Sequence, residues 1–245
     1  MTTLAILTAA GSGTRLGRDV PKALVELGGV PMVALAARGL ADSGVVDALV
    51  VTSPAGRSAE IRTAVGSLEV DVRVVDGGGT RQASVAAGLG LAGPDVDVVL
   101  VHDAARPLTS PETVRRVVAA VRDGHRAVVP GLPVTDTIKR VVPDDGAPSG
   151  AHGRPGPVAE RVVDTPDRTV LRAVQTPQGF DRELLVRAHT EGASRAAAEH
   201  LAATDDAALV EALDEPVHVV VGDPEALKIT TERDLALAIL LLEDR

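Results

Sequence analysis

Short apolar runs punctuate the chain. Val, Leu and Ile gather over residues 3–8, 47–52, 71–75, 97–102, 127–130 and 217–221. Each run is brief and stops at turn-forming residues, which predicts buried strands. The segments near 31–42, 57–66, 81–91 and 111–123 between them read as helices. This alternation predicts an α/β fold, a mostly parallel sheet covered by helices on both faces. Ligands of such sheets sit beyond the carboxyl ends of strands. Two segments fall there: the loop after the first strand, and "HDAARP" after the strand "DVVLV". Near the C-terminus, Thr231 followed by Asp234 reads as a capping box ahead of the apolar "LALAILLL".

The middle of the chain breaks this rhythm. "VTDTIKRVV" alternates like a strand, and "VAERVVDTPDRTVLRAV" is strand-like again. The Pro, Gly and Ser of "PDDGAPSGAHGRPGP" between them mark a flexible connection. We expect a projecting β-arm at about 134–175 with a mobile tip at 144–158. A disordered insertion is the competing reading, stronger for the tip than for the sides. Neither an internal repeat nor an interdomain linker is seen, so residues 1–245 are expected to form one domain.

The first loop carries the first chemical signal. In "LAILTAAGSGTRLGRDVPKAL", an apolar strand runs into Ala9, Ala10, Gly11, Ser12 and Gly13. So little side chain leaves backbone N–H groups open to an anion. Arg15 and Lys22 follow with positive charge, Arg suited to bidentate phosphate contacts and Lys to a point charge. Neither familiar phosphate loop fits. The dinucleotide fingerprint would need glycine where Leu16 stands, with Gly17 one residue late, and no register satisfies the P-loop. A plain surface turn competes, but Arg15 and the Pro21–Lys22 pair favour a ligand.

Composition narrows the ligand. With 245 residues, 45% of them hydrophobic, the chain can bury a large core. A net charge of −9 argues against a broad nucleic-acid surface. Local cations can still hold a small anion. There is no cysteine, hence no disulfide or thiolate metal site. No apolar stretch reaches the roughly 18 residues of a membrane span, and no secretory signal pattern opens the chain; a cytoplasmic protein is expected. Phe180 is the single aromatic residue, so a nucleobase would be read by backbone and small polar groups rather than by stacking.

Three further segments carry candidate chemistry. "DGGGTRQASVAAGL" is a second glycine-rich turn opening a helix, where Gly77–Gly79 and Ser84 could hydrogen-bond a base. Taken alone, the segment reads better as a helix start that merely needs glycine. Asp103 ends an apolar strand in "VHDAARP". A lone carboxylate suits Mg²⁺, which takes one or two carboxylates plus phosphate oxygens and water. Capping a turn or pairing with Arg106 is the competing role. Lys228 precedes the last helix, and spacing alone does not place it in a site.

"AAGSGTRLG", "PKAL", "GGGTRQASV", "HDAARP", "DTIKR", "TPQGF" and "LKITTERDLALA" occur in this order. Together they resemble the 2-C-methyl-D-erythritol 4-phosphate cytidylyltransferase family, over nearly the whole chain. The resemblance implies a Rossmann-like, GT-A-like nucleotidyltransferase fold, usually homodimeric. It implies transfer of a cytidylyl group from CTP to a polyol phosphate, with release of pyrophosphate, in non-mevalonate isoprenoid synthesis. Carried over by motif, Arg15, Lys22 and Lys228 would act on the triphosphate. Ala9, Ala10, Gly11, Gly13, Gly78, Arg81 and Ser84 would bind the nucleotide, and Asp103 would hold Mg²⁺. Thr137 and Arg168 on the arm would bind the acceptor from the partner subunit, Arg161 and Arg172 being neighbours of the matching position. Two alternatives stand beside this reading: a cytidylyltransferase acting on another polyol phosphate, such as ribitol 5-phosphate, and a non-catalytic nucleotide-binding protein. The second would expect loss of Lys22, Asp103 or Lys228, and all three are present.

Overall fold

The structure, a computed structural model, describes residues 1–11, 20–144, 159–196 and 205–244. Two compact units form, one from Met1–Gly131 with Val174–Arg245, the other from Leu132–Ala173.

In the larger unit, β1 (Thr2–Thr8) lies between β4 (Ala48–Ser53) and β6 (Val96–Asp103), and β5 (Asp71–Asp76) pairs with β4. All three of these pairings are parallel. β11 (Gln178–Asp181) runs antiparallel between β6 and β7 (Ala127–Pro133), and β12 (His218–Val221) pairs in parallel with β7. A parallel strand buried on both faces needs apolar residues at every position. That is why "LAIL" in β1 reads as a continuous run.

Successive strand residues feed opposite faces. Ala5, Leu7, Leu49, Val51, Val98 and Leu100 pack on one side with α1 (Met32–Ala41), α2 (Ser58–Val65) and α4 (Pro111–Arg122). Leu4, Ile6, Val50, Val99 and Val101 pack on the other with α3 (Arg81–Leu89), α5 (Arg182–Ala196) and α6 (Asp206–Glu211). The predicted strands and helices of the parallel half are present, within one to three residues at their ends. The last helix, α7 (Glu232–Glu243), starts at the expected capping box, with Thr231 and Asp234 each accepting from the other's end of the turn. Hydrogen bonds from Thr230, then Thr231, hold the Asp234 carboxyl down at about 2. Leu235 and Ala238 of α7 pack on a short hairpin, β2 (Glu26–Leu27) and β3 (Val30–Pro31), that the apolar pattern did not predict.

Strand order reverses at β1. The chain moves outward through β4 and β5, then returns to lay β6 on the other edge of β1. Thr8 and Asp103 are register partners at the carboxyl ends of β1 and β6. This is the topological position where open α/β sheets bind ligands.

Sequence reasoning overlooked β11, α5 and α6. β11 reads "QGFD", too short and too polar at its ends to be recognised, yet its Phe180 is fully buried between helix-covered strands. Leu184, Leu185 and Ala188 carry the helical spacing that marks α5. Among the described residues no helix is long and apolar enough to cross a membrane.

The smaller unit contains β8 (Arg140–Pro143) paired antiparallel with β9 (Glu160–Asp164). The strand expected over 134–142 therefore begins only at Arg140. Upstream, the Thr135 carbonyl accepts from the Arg168 guanidinium at 2.5 Å, and Lys139 donates to Thr165 Oγ1 at 2.7 Å. The Arg168 side chain there occupies a backbone carbonyl that a ladder would have used. The return segment is also interrupted. Asp167 accepts from Thr169 N–H at 2.9 Å and caps a single 3-10 turn, Arg168–Val170, before β10 (Arg172–Val174). Of the expected tip, residues 145–158 lie outside the described residues.

Candidate active site

A cavity of about 460 Å³ opens at the ends of β1 and β6. Its wall brings together Ala9, Ala10, Gly11, Lys22, Gly78, Arg81, Ser84, Asp103 and Lys228, all anticipated from the sequence. Thr8, Thr80 and Ala104 also line it. Gly13 and Arg15 lie outside the described residues. Thr137 and Arg168 belong to the smaller unit, where both are exposed and Arg168 is tied to the carbonyl of Thr135. Of the neighbouring arginines, Arg161 pairs with Val142 within the hairpin, and Arg172 folds back on the carbonyls of Thr169 and Leu171.

The first loop is fixed by backbone pairing: Ala9 N–H donates to Thr52 O at 2.9 Å, and Ala104 N–H to Thr8 O at 3.1 Å. The second glycine-rich turn packs directly against it. A Cβ on Gly77 would stand 2.7 Å from Ala10 Cβ and 2.8 Å from Ser84 Oγ. Gly77 thus serves close approach of the two loops. Thr80 caps α3 by accepting from Ala83 N–H. Ser84 Oγ accepts from Gly78 N–H at 3.1 Å and donates to Thr80 O at 2.9 Å. The serine holds the turn in shape, which leaves the backbone of the small residues facing the cavity.

Asp103 is the electrostatic centre. Its Oδ2 pairs with Lys228 Nζ at 2.8 Å and its Oδ1 with Arg81 Nε at 3.3 Å. The expected competitor, Arg106, makes no ion pair with it. Arg106 instead donates to the carbonyls of Ala226 at 2.6 Å and Val174 at 3.3 Å. Burial opposes ionisation of Asp103, but Arg81 and Lys228 outweigh it and hold the carboxyl well below the usual carboxylate range. Lys228 reaches the site because Ile229 N–H donates to Ala105 O at 2.9 Å and Arg106 anchors Ala226. The Arg81 guanidinium is engaged twice, by Asp103 and by the buried Asp206 at 2.6 Å. Burial works against its charge, and the two carboxylates more than restore it.

Behind Asp103, its N–H donates to Thr176 Oγ1 at 3.1 Å, and Thr176 Oγ1 pairs with His102 Nδ1 at 2.8 Å. Burial pushes the His102 imidazole down to about 4, against the pull of Asp103 and with Arg106 adding to the effect. The unfolded chain, with an ordinary His value, takes up this proton first. The neutral ring's contribution to stability is therefore complete above about pH 6.5 and fades as pH falls toward 4. Urea unfolding should show the wild type losing about 3 kcal/mol more than His102→Asn across that window. Parallel pH profiles would refute it.

Sequence reasoning missed Asp206, His102 and Thr176 as members of this cluster. Asp206 was marked only by adjacent carboxylates, Asp205 and Asp206, ahead of an apolar run.

The chain matches the family model of 2-C-methyl-D-erythritol 4-phosphate cytidylyltransferase (IspD) over residues 3–244. A protein of that name from Nocardia farcinica is 50% identical over 242 residues, covering 99% of this chain and 94% of its own. Another from Streptomyces avermitilis is 47% identical over 247 residues, covering 99% and 92%. Among solved structures, 4-diphosphocytidyl-2C-methyl-D-erythritol synthase from Anaerococcus prevotii superposes with a TM-score of 0.80 at 28% identity, over 99% of this chain and 98% of that one. The 2-C-methyl-D-erythritol 4-phosphate cytidylyltransferase from Thermus thermophilus gives 0.73 at 36% identity, over 98% of each. Similarity of this length and degree extends through both loops, Asp103 and the Lys228 segment, and on it the chain belongs to the 2-C-methyl-D-erythritol 4-phosphate cytidylyltransferase family.

Proposed function

We propose that this chain transfers the cytidylyl group of CTP to 2-C-methyl-D-erythritol 4-phosphate and releases pyrophosphate, a step of isoprenoid precursor synthesis. One observation carries the reading. In a protein of net charge −9, the described lining of the cavity holds three cations, Lys22, Arg81 and Lys228, around one carboxylate, Asp103. That is a site for a polyanion approached closely by backbone.

The acceptor's phosphate oxygen attacks the α-phosphorus of CTP, a bond to that oxygen forms, and the bond to pyrophosphate breaks. Such a reaction needs alignment and neutralised charge more than covalent help. Lys22 and Lys228 neutralise the triphosphate and the charge growing at the α-phosphorus. Arg15 is assigned the same task by its motif. Ala9, Ala10, Gly11 and Gly78 line the nucleotide's side of the cavity. The N–H groups of Ala9 and Gly78 are held by Thr52 and Ser84, which shapes the two loops for close approach, and Gly13 is assigned by motif.

The donor set fits Mg²⁺. Among the described residues there is no cluster of three or more His, Cys, Asp or Glu able to cage a metal. One ionised carboxylate at the mouth of a phosphate site matches the way Mg²⁺ is held, by one or two carboxylates plus phosphate oxygens and water. Asp103 would hold it, giving up its pairing with Lys228 to the incoming phosphates. When bound, the ion supplies charge neutralisation on the triphosphate.

We assign the acceptor to Thr137 and Arg168, supplied by the β-arm of the second subunit of a homodimer. We place the protein in the cytoplasm. Pyrophosphate release with Mg²⁺ and CTP, measured with methylerythritol phosphate and ribitol 5-phosphate in parallel, tests the activity. Activity with the former alone is expected. Preference for ribitol phosphate would overturn the acceptor, and silence with both would overturn the enzyme. Arg168→Ala should raise the acceptor KM at least about tenfold, leaving the CTP KM within about threefold. Equal effects on both would remove Arg168 from the acceptor site.

A further inference from the structure

Asp206 lies behind the cavity wall and takes no part in the chemistry derived above. Its side chain is 1% exposed. Its Oδ2 accepts from Arg81 Nη1 at 2.6 Å, and its Oδ1 pairs with His189 Nε2 at 2.9 Å. Three elements meet there: the first residue of α3, the first residue of α6, and α5. The backbone of α6 is pinned independently. Asp205 accepts from Ala208 N–H and caps the helix, while Gln178 donates to Asp205 at 2.7 Å and accepts from Ala207 N–H at 3.1 Å. Asp206 is thereby held in place from two sides.

A buried carboxylate is costly, and a well-packed apolar residue usually stabilises a fold as well or better. Its geometry here gives it another use. A guanidinium facing one carboxylate tends to close on it with two parallel hydrogen bonds. Arg81 does not do so with Asp103. One of its terminal nitrogens is taken by Asp206, and only Nε reaches Asp103, at 3.3 Å. Asp103 Oδ2 stays with Lys228 and the cavity.

We propose that Asp206 is a positioning residue. It draws the Arg81 guanidinium back into the wall, fixes the first turn of α3 with Thr80 and Ser84, and keeps Asp103 from being closed off by Arg81. His189 braces it. The inference rests on the CTP-dependent reading of the cavity and adds a residue that acts on it from outside.

The test is a double-variant cycle of Asp206→Asn and Arg81→Gln, read as KM for CTP, KM for methylerythritol phosphate and kcat. Asp206→Asn should raise the CTP KM about tenfold or more and leave the acceptor KM within about threefold. In the Arg81→Gln background it should add no further loss. A purely structural role would lower the active fraction, and so kcat, without moving either KM. An unchanged CTP KM, or losses that multiply in the double variant, would overturn the proposal. Should Asp206→Asn fail to fold, His189→Leu enters the same cycle, with a smaller rise in CTP KM that disappears with Arg81→Gln. CTP affinity by calorimetry runs alongside. A wild type that binds CTP without turnover would sink the activity reading while leaving the Asp206 cycle legible in binding.

Discussion

Asp103→Asn is expected to lower kcat/KM for CTP by about two to three orders of magnitude. Asparagine keeps the shape of the side chain and removes its charge. The carboxylate it replaces is ionised at neutral pH, because Arg81 and Lys228 outweigh its burial. The loss should therefore be present across the neutral range and not only at one end of it. Two consequences separate this from general damage. Lys228 loses the anion that holds its ammonium at 2.8 Å, so the triphosphate meets a cation that is no longer aimed. Mg²⁺ loses the only carboxylate in the described wall of the cavity. A Mg²⁺ titration at fixed CTP should shift to higher concentration, and calorimetric Mg²⁺ binding in the presence of CTP should weaken with it. Arg81 retains Asp206, so the α3 turn and the fold should survive. A variant with reduced turnover but an unmoved Mg²⁺ midpoint would leave Asp103 as an anchor for Lys228 and dismiss it as a metal ligand.

The parallel half of the sheet was legible because its physics is local. Strands buried on both faces announce themselves as apolar runs, and their ends are marked by the small residues that follow. The capping box of α7 is a four-residue signal, and it marked the start of the last helix. What was hidden depends on distant partners. β11 exists because β6 and β7 offer it two edges, and nothing in "QGFD" says so. Residues 134–139 alternate like a strand, but Arg168, far along the chain, takes the Thr135 carbonyl. The site divides in the same way. Ala9–Gly11 and the Gly77–Gly79 turn could be read as anion and backbone surfaces from composition alone. Lys228 could not: its place comes from Ile229 pairing with Ala105, over a hundred residues apart in sequence, and only the family resemblance named it. Asp206 is 125 residues from Arg81, and neither spacing nor motif pointed to their contact.

Lys22→Ala should lower kcat by about two to three orders of magnitude while the melting temperature stays within a few degrees. The two halves of this expectation come from different parts of the same turn. Backbone bonds from Leu24 to Pro21 and from Val25 to Lys22 close the 3-10 turn without using the lysine side chain. Val25 and Leu27 then pack with Met32 and α7, so the turn is anchored from below by apolar contacts. Removing the ammonium therefore takes charge from the cavity wall, while the backbone bonds and apolar contacts that shape the turn remain. If that charge serves mainly the transition state, kcat falls and the CTP KM changes by no more than about threefold. If it serves CTP binding throughout, KM rises and kcat holds. Lys22→Arg sharpens the distinction, because a planar guanidinium restores charge but not the compact point donor. It should recover binding more fully than turnover. An alanine variant that turns over within about threefold of wild type would take Lys22 out of the chemistry and leave charge stabilisation to Lys228 and the first loop.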